Sequence, residues 1–277
     1  MKRRIVAVCV SLLFPIILST PALAATPDSQ PLRPSSHPGF MLGGHEHNPL
    51  TNSSAVTTQN WSGYAVTGTN GTYNSVSSAW VQSALTCASI SKPSYSSYWV
   101  GLDGFSNQTV EQIGTEANCS HGIATYGAWY EMYPSNPYEV SVRLSIHAGD
   151  HMSASVTYTP AITMTVGHRV ITTKPATYVL SLTNVTSGGK FSIPLQPHQT
   201  YARSSAEVIT EAPYSNGVLP LANYGTVNYA GSLVNGQPMG SFSSLQNIVM
   251  QNPAGMVSTP STFDPTNQSF SVTWSNN

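Results

Sequence analysis

Hydrophobic and polar residues alternate with a period of two along much of this chain from about residue 57 onward. The clearest case is 138–147, in which the apolar residues Val140, Val142, Leu144 and Ile146 alternate with Glu139, Ser141, Arg143 and Ser145. Such alternation predicts strands with one buried face. Further strands are predicted at residues 61–67, 76–82, 152–159, 178–182 and 270–274.

Turn sequences separate these segments, such as Thr69-Asn70-Gly71, Ala148-Gly149-Asp150 and the Thr-Ser-Gly-Gly run at 186–189. A period of 3.6 residues does not persist for three turns anywhere, and no internal repeat is visible. Many short strands at this spacing predict an all-β protein. We therefore expect a single β-sandwich domain of two antiparallel sheets over residues 57–277.

The strand predicted at residues 126–134 carries the densest aromatic run of the sequence, YGAWYEMYP. Its period of two places Trp129, Glu131 and Tyr133 on one face and Tyr130 and Met132 on the other. A solvated face rarely needs two large rings, and a core face rarely tolerates a glutamate. A concave binding face accounts for both the aromatic rings and the glutamate. The alternative is an ordinary aromatic strand with Glu131 at its solvent-exposed end.

The N-terminus has the pattern of a secretory signal over residues 1–24. Lys2, Arg3 and Arg4 precede an apolar run, and Ala22-Leu23-Ala24 forms a small-x-small cleavage site. The alternative is an uncleaved anchor. Residues 25–56 are rich in Pro, Ser, His and Asn, which is typical of a pro-segment or linker. They include His45-Glu46-His47, but no further ligands stand at a suitable spacing, so we expect no metal site.

Charged residues make up only 8% of the 277 residues, against roughly 25% in typical soluble proteins. The hydrophobic fraction of 40% is nevertheless sufficient for a core. A chain with few charges loses few ion pairs in acid, which is a weak indication of an acidic working environment. The net charge of -1 gives no indication of nucleic acid or membrane as a partner, and we expect an exported monomer.

The cysteines of the mature chain are Cys87 and Cys119, since Cys9 lies in the signal. In an exported protein we expect a disulfide between them, and the alternative is two free thiols. The disulfide would close a loop of about 30 residues and contribute roughly 3–4 kcal/mol to stability in the chain-entropy model.

Carboxylates are scarce enough to survey individually, and Asp103, Glu131 and Glu207 lie within apolar or aromatic strands. Burial raises the pKa of a carboxyl group in such surroundings, which suits a general acid or base. The sequence has no Gly-x-Ser-x-Gly, Asp-Thr-Gly, Asp-Ser-Gly or His-Glu-x-x-His motif, no phosphate loop and no catalytic-cysteine context.

Three functions remain open on these residues alone. One is a carboxyl-based peptide hydrolase. Another is a carbohydrate-binding sandwich in which Trp129 and Tyr133 stack on sugar rings. The third is a glycoside hydrolase that uses Glu131 and Glu207 as its carboxyl pair.

Four motifs occur in an order that resembles the glutamic peptidases, the eqolisin or G1 family. They are WVGLDG at 99–104, VEQIG at 110–114, YGAWYEMYP at 126–134 and SAEVITE at 205–211, and NWSG at 60–63 resembles the N-terminal strand of that family. The resemblance extends from about residue 57 to the C-terminus. It implies a β-sandwich like that of legume lectins and concanavalin A, a jelly roll, and a secreted, pepstatin-insensitive acid endopeptidase acting on proteins or peptides without a cofactor.

The resemblance also assigns residues. Gln112 and Glu207 match the catalytic pair, Glu207 as base and acid and Gln112 as the group that positions water and stabilises the oxyanion. The cleft is expected to be lined or supported by Trp99, Asp103, Trp129, Glu131 and Tyr133, with Asp103 and Glu131 tuning Glu207 or orienting Gln112. Two departures affect the expected shape of the cleft: the family often has Asp where this chain has Gly127, and an aromatic residue where it has Val208.

Overall fold

A computed structural model describes residues 33–34 and 55–275, apart from 88–91, 142, 216 and 253–254. These residues belong to one compact unit, Leu32–Asn277. The predicted signal, most of the predicted pro-segment with His45-Glu46-His47, and Val142 lie outside the described residues.

The described residues form strands joined by turns and irregular segments, and the helical structure among them is one 3₁₀ turn, Met239–Ser241. The strands are β1 (Arg33–Pro34), β2 (Ala55–Thr58), β3 (Trp61–Thr67), β4 (Ser75–Val81), β5 (Ser94–Leu102), β6 (Val110–Ser120), β7 (Ile123–Tyr133), β8 (Tyr138–Glu139), β9 (His151–Thr159), β10 (Ile162–Val166), β11 (Arg169–Lys174), β12 (Thr177–Asn184), β13 (Lys190–Leu195), β14 (Ser205–Glu211), β15 (Thr226–Val234), β16 (Gln237–Pro238), β17 (Leu245–Asn252), β18 (Gly255–Pro260) and β19 (Phe270–Trp274).

The strands pair into two large layers. The front sheet has the order β8-β7-β6-β5-β14-β3-β17, and the back sheet has the order β13-β12-β9-β4-β15-β19-β18. Strand β18 bonds to both β17 and β19 and so links the layers at one edge. Pairing is antiparallel within both sheets, and β2 adds to β17 in parallel. The predicted all-β sandwich is confirmed.

The main core lies between the two sheets, where alternate residues of each strand point inward. Val100, Ile113 and Val208 come from the front sheet, and Val156 and Leu180 come from the back sheet; all are fully buried. Burial of alternate residues along β12 follows the predicted period of two. The inner face of the front sheet is thus committed to packing, which leaves its outer face to form a site.

The strand predicted at 138–147 is wrong beyond its first two residues. Strand β8 ends at Glu139, and the Leu144 amide then donates to the Val140 carbonyl over 3.1 Å, which curls the chain into a turn. Val140, Leu144 and Ile146 are nevertheless buried. The alternation of apolar residues correctly indicated which side chains are buried in the core. In this segment a turn buries them, and the backbone is not extended as it would be in a strand.

Cys87 and Cys119 form a disulfide, as predicted. It ties the segment after β4 to the end of β6, a strand of the front sheet. No helix among the described residues is long and apolar enough to cross a membrane.

Candidate active site

Four residues lie side by side in one row across the front sheet. Glu207 on β14 pairs with Gly101 on β5, Gly101 pairs with Gln112 on β6, and Gln112 pairs with Glu131 on β7. Paired residues of neighbouring strands project from the same face of a sheet. Ala206 and Val208 belong to the inter-sheet core, so Glu207 and its row project from the opposite, outer face.

Glu207 is fully buried, and neither of its carboxyl oxygens accepts a hydrogen bond from the described protein groups. Burial raises its pKa well above the usual value, and the charge of Asp103 raises it further. The Ser205 hydroxyl and the Phe105 amide lie near enough to the carboxyl group to lower its pKa in part, but neither reaches it with hydrogen-bond geometry. The result is a carboxyl group that binds a proton strongly and whose oxygens are free to interact with a substrate or water.

Gln112 is fully buried beside Glu131. Its Nε2 donates to Glu131 Oε2 over 2.6 Å, while its Oε1 has no hydrogen-bond partner among the described protein groups. Burial raises the pKa of Glu131 to about 8, and the bond from Gln112 lowers it in part. Glu131 therefore fixes the orientation of the Gln112 amide, which keeps one N–H and one oxygen for other partners.

Aromatic side chains surround this row. Trp61, Trp99 and Trp129 form a separate cluster on the outer face with Ala65, Val110, Ile209 and Ile248, and Phe105 and Tyr133 pack against it. Tyr130 and Met132 belong instead to the inter-sheet core. The two faces predicted for residues 126–134 are thus confirmed.

Asp103 lies just after β5, two residues beyond Gly101, with a φ of 67° and no exposed surface. Its carboxylate accepts hydrogen bonds from the Arg203 amide over 2.6 Å and from the Ser204 amide over 2.9 Å. Asn107 Nδ2 donates to the same carboxylate over 2.8 Å. Asp103 therefore anchors the loop after β5 to the start of β14, the strand that carries Glu207.

Among the described residues, no group of three or more His, Cys, Asp and Glu side chains is arranged to hold a metal ion. Glu131 and Glu207 stand three strands apart, which corresponds to about 14 Å between their backbones. A glycosidase carboxyl pair requires roughly 5–10 Å between carboxyl groups. Glu131 is hydrogen-bonded to Gln112, the residue between it and Glu207 in the row, so it is held as the partner of an amide and not as one member of a carboxyl pair.

The model of the Peptidase A4 family matches residues 59–274. The chain belongs to this family, the G1 glutamic peptidases. Comparison with curated proteins gives no match.

Solved structures of glutamic peptidases share the fold. Scytalido-glutamic peptidase with a transition state analog inhibitor is 24% identical, with a TM-score of 0.61 over 78% of this chain and 98% of that one. SCP-B, an eqolisin in complex with the tripeptide Ala-Ile-His, is 22% identical, with a TM-score of 0.57 and the same coverage. Aspergilloglutamic peptidase from Aspergillus niger is 21% identical, with a TM-score of 0.52 over 66% of this chain and 99% of that one.

The two departures from the family pattern have different explanations in this glutamic peptidase. Gly127 pairs with Glu116 on the neighbouring strand, and a Cβ at Gly127 would lie 2.5 Å from Glu116 Oε1. The carboxyl of Glu116 therefore occupies the space that a side chain at 127 would need. Val208 points into the inter-sheet core, so the expectation that it affects the cleft directly is wrong.

Neither Glu211 nor Gly101 is assigned an individual role by the sequence motifs. Glu211 is buried on the outer face of β14 and receives hydrogen bonds from Trp99 and Asn60. Gly101 separates Glu207 from Gln112 in the row. The alternation of 205–211 already placed Glu211 on the same face as Glu207, whereas nothing in the sequence marked Gly101 as the residue between them.

Replacing Gly101 with Ala is expected to reduce peptidase activity by roughly 10²-fold with the fold retained. Because Gly101 has no side chain, it leaves a gap in the row between the side chains of Glu207 and Gln112. The added Cβ would lie 2.9 Å from Trp99 Cζ3 and 3.3 Å from Gln112 Cβ, so it would displace groups on the Gln112 side of this gap. Initial rates and the melting temperature measure the two effects separately. Gly149→Ala is the control for a glycine outside the site: its φ of 85° strains an alanine, so its melting temperature should fall, while its activity should stay unchanged because a Cβ there meets nothing within 4 Å. Equal activity in Gly101→Ala and wild type would contradict the importance of the gap.

Proposed function

We propose that this protein is a secreted acid endopeptidase that hydrolyses protein or peptide substrates with Glu207 and Gln112. One observation carries the proposal: a buried carboxyl and a buried amide, both with atoms free of protein hydrogen bonds, flank a glycine in one row of a sheet face. The partly exposed rings of Phe105 and Tyr133, which pack against the cluster around the row, suit contact with the side chains of a bound peptide.

The proposed reaction needs a base for water, a donor for the oxyanion and an acid for the leaving amine. Ionised Glu207 accepts a proton as the water oxygen bonds to the scissile carbonyl carbon. Gln112 positions the water and donates its remaining N–H to the developing oxyanion. As the carbon–nitrogen bond breaks, Glu207 returns the proton to the leaving nitrogen. Because an amide does not titrate, Gln112 keeps its role in acid.

The raised pKa of Glu207 predicts the acid side of the pH profile. A base must be ionised to act, so kcat/KM is expected to rise with pH through the pKa of Glu207, which lies above 4.5. This favours activity in mild rather than extreme acid. We assign the orienting role to Glu131 through Gln112 and the loop-anchoring role to Asp103.

Glu131→Gln is expected to shift the alkaline limb of the pH–rate profile. Glu131 loses its proton as pH rises through about 8, which places a negative charge beside the amide that stabilises the oxyanion. Glutamine cannot ionise, so the decline should move to higher pH. Initial rates from pH 5 to 8.5 measure this shift, with Glu139→Gln as a control on the neighbouring strand. An unchanged profile would refute this role of Glu131.

The proposal is tested by digestion of casein or haemoglobin across acidic pH, with pepstatin present, by wild type and Gln112→Ala. Pepstatin-resistant acid activity is expected in wild type, and loss of one oxyanion donor should reduce it by roughly 10²–10³-fold. A folded and processed wild type without activity would contradict the proposal. Retention on a polysaccharide resin would then favour the carbohydrate-binding hypothesis.

We further propose that residues 1–24 are removed on export and that the predicted pro-segment, residues 25–56, is removed before full activity up to a point before Ala55, because Ala55 and Val56 pair with β17 as part of strand β2. The charged, apolar and small-residue pattern of the N-terminus supports export, and the linker-like composition of 25–56 supports processing. N-terminal sequencing before and after acid incubation tests this, with Glu207→Gln distinguishing self-cleavage from cleavage by another protease. Full activity in a chain that still carries residues 25–56 would refute the processing.

A further inference from the structure

Glu211 is a buried carboxyl group that the proposed reaction does not use. It lies on β14, four residues beyond Glu207 and on the same face, with 3% of its surface exposed. Its Oε2 accepts a hydrogen bond from Trp99 Nε1 over 2.8 Å, and its Oε1 accepts one from Asn60 Nδ2 over 3.3 Å. Burial of a carboxyl group costs free energy, and neither of these two partners, an indole and an amide, is a cation that would offset the cost. We therefore looked for a function of this carboxyl group in its contacts.

Trp99 connects this carboxyl group to the gap between Glu207 and Gln112. A Cβ on Gly101 would lie 2.9 Å from Trp99 Cζ3, so the six-membered ring reaches the floor of the gap. A Cβ on Gly114, the partner of Trp99 on β6, would lie 2.6 Å from Trp99 Cβ. Gly101 thus leaves room for the indole ring, and Gly114 leaves room for the Cβ of Trp99 and for the backbone of β5.

The two ends of the indole have different neighbours. The pyrrole nitrogen is bonded to Glu211, and the far edge of the benzene ring lies at Gly101. Rotation of the ring about its bond to Cβ moves both ends together. A group that fixes the nitrogen therefore also fixes the ring edge at the gap, where the reacting water and carbonyl must meet in the proposed reaction.

We propose that Glu211 is a positioning residue for peptide hydrolysis, because its hold on the Trp99 nitrogen fixes the ring edge beneath the space between Glu207 and Gln112. The inference rests on the proposed function. Burial raises the pKa of Glu211 to about 8, so the carboxyl group is protonated in acid. With the proton on Oε1, Oε2 still accepts the bond from Trp99, so the hold persists at acidic pH.

Two substitutions of Glu211 separate the acceptor from the charge. Glu211→Leu removes the acceptor and is expected to lower kcat by roughly 10- to 100-fold, with KM changed less than about twofold. Glu211→Gln keeps an oxygen that can accept from the indole, and should retain kcat to within about threefold of wild type. Thr210→Val is the stability control, since Thr210 is buried on the opposite face of the same strand and bonds to the Tyr229 hydroxyl over 2.9 Å. It should lower the melting temperature without lowering kcat.

A double-mutant cycle tests whether Glu211 acts through Trp99. Trp99→Phe removes the donor and keeps an aromatic ring, and is expected to lower kcat about as much as Glu211→Leu. In the Trp99→Phe background, Glu211→Leu should have no further effect on kcat. If Glu211→Leu does not fold, Trp99→Phe alone tests the hold on the indole: an unchanged kcat in that variant would overturn the role of Glu211.

The outcomes distinguish this inference from the proposed function. Independent, additive losses from the two substitutions would overturn the role of Glu211, as would a full loss of kcat in Glu211→Gln. A loss confined to the melting temperature would also overturn it. Loss of activity in Glu207→Gln, measured alongside, shows in each case that the proposed reaction itself stands.

Discussion

Glu207→Gln is expected to lower kcat by roughly 10²–10⁴-fold, the usual contribution of general acid–base catalysis, without loss of the fold. Glutamine has the shape of a protonated glutamate but cannot accept the proton of water. Burial raises the pKa of Glu207, so the folded protein already accommodates a neutral side chain at this position. The melting temperature in acid should therefore equal or exceed that of wild type. Cleavage rates of a defined peptide, with pepstatin present, measure the effect.

Glu111→Gln is the matched control for this experiment. Glu111 is also a fully buried glutamate, and burial with the nearby charges of Asp103 and Glu207 raises its pKa. It precedes Gln112 on β6 and so points to the inner face of the sheet, away from the row. Its substitution should leave kcat within about threefold. If Glu207→Gln keeps more than about a tenth of wild-type activity, the base lies elsewhere, with Glu131 the next candidate.

The sequence predicted the faces of individual strands well because alternation directly reflects burial. It placed Trp129 and Glu131 on one face of their strand and Tyr130 on the other. The same rule, applied to 110–114, places Gln112 and Glu111 on opposite faces. The rule failed for 138–147, where three apolar side chains enter the core from a turn. Alternation identifies buried residues, and it identifies strands only when the backbone is extended.

The order of strands could not be read from the residues. Strand β14 inserts between β3 and β5, although more than 100 residues separate it from either in sequence. This insertion is what brings Glu207 into line with Gln112, and its register depends on packing of the whole front sheet. For the same reason the residues alone do not indicate that Glu116 fills the space at Gly127, or that Glu211 holds Trp99.

Stability is expected to fall steadily as pH rises from about 4.5 to about 8. Burial raises the pKa values of four glutamates: Glu131 and Glu211 to about 8, and Glu111 and Glu207 well above the ordinary value. In the unfolded chain these groups ionise at about pH 4.3. Between the two values the folded protein holds protons that the unfolded chain has released. The stabilisation is complete below the unfolded pKa and is lost as pH rises through the folded pKa.

The slope of this loss is large. Each glutamate that stays protonated only in the folded state lowers the free energy of unfolding by about 1.4 kcal/mol per pH unit. The free energy of unfolding of a domain is usually about 5–15 kcal/mol. Over two to three pH units, two such glutamates together lower it by an amount close to the lower end of that range. The low content of charged residues and the neutral state of these carboxyl groups make the fold stable in acid. The loss of stability is expected toward neutral pH.

Chemical unfolding of Glu207→Gln from pH 3 to 8 measures the effect without self-digestion by the proposed reaction. The free energy of unfolding should decline above pH 4.5, with the slope reporting the remaining three glutamates. Adding Glu111→Gln should make that slope shallower by about 1.4 kcal/mol per pH unit, since glutamine binds no proton in either state. A maximum of stability near pH 7 would show that these carboxyl groups ionise inside the folded protein. That result would also remove the basis for the raised pKa of Glu131, on which the predicted alkaline limb of the pH–rate profile depends.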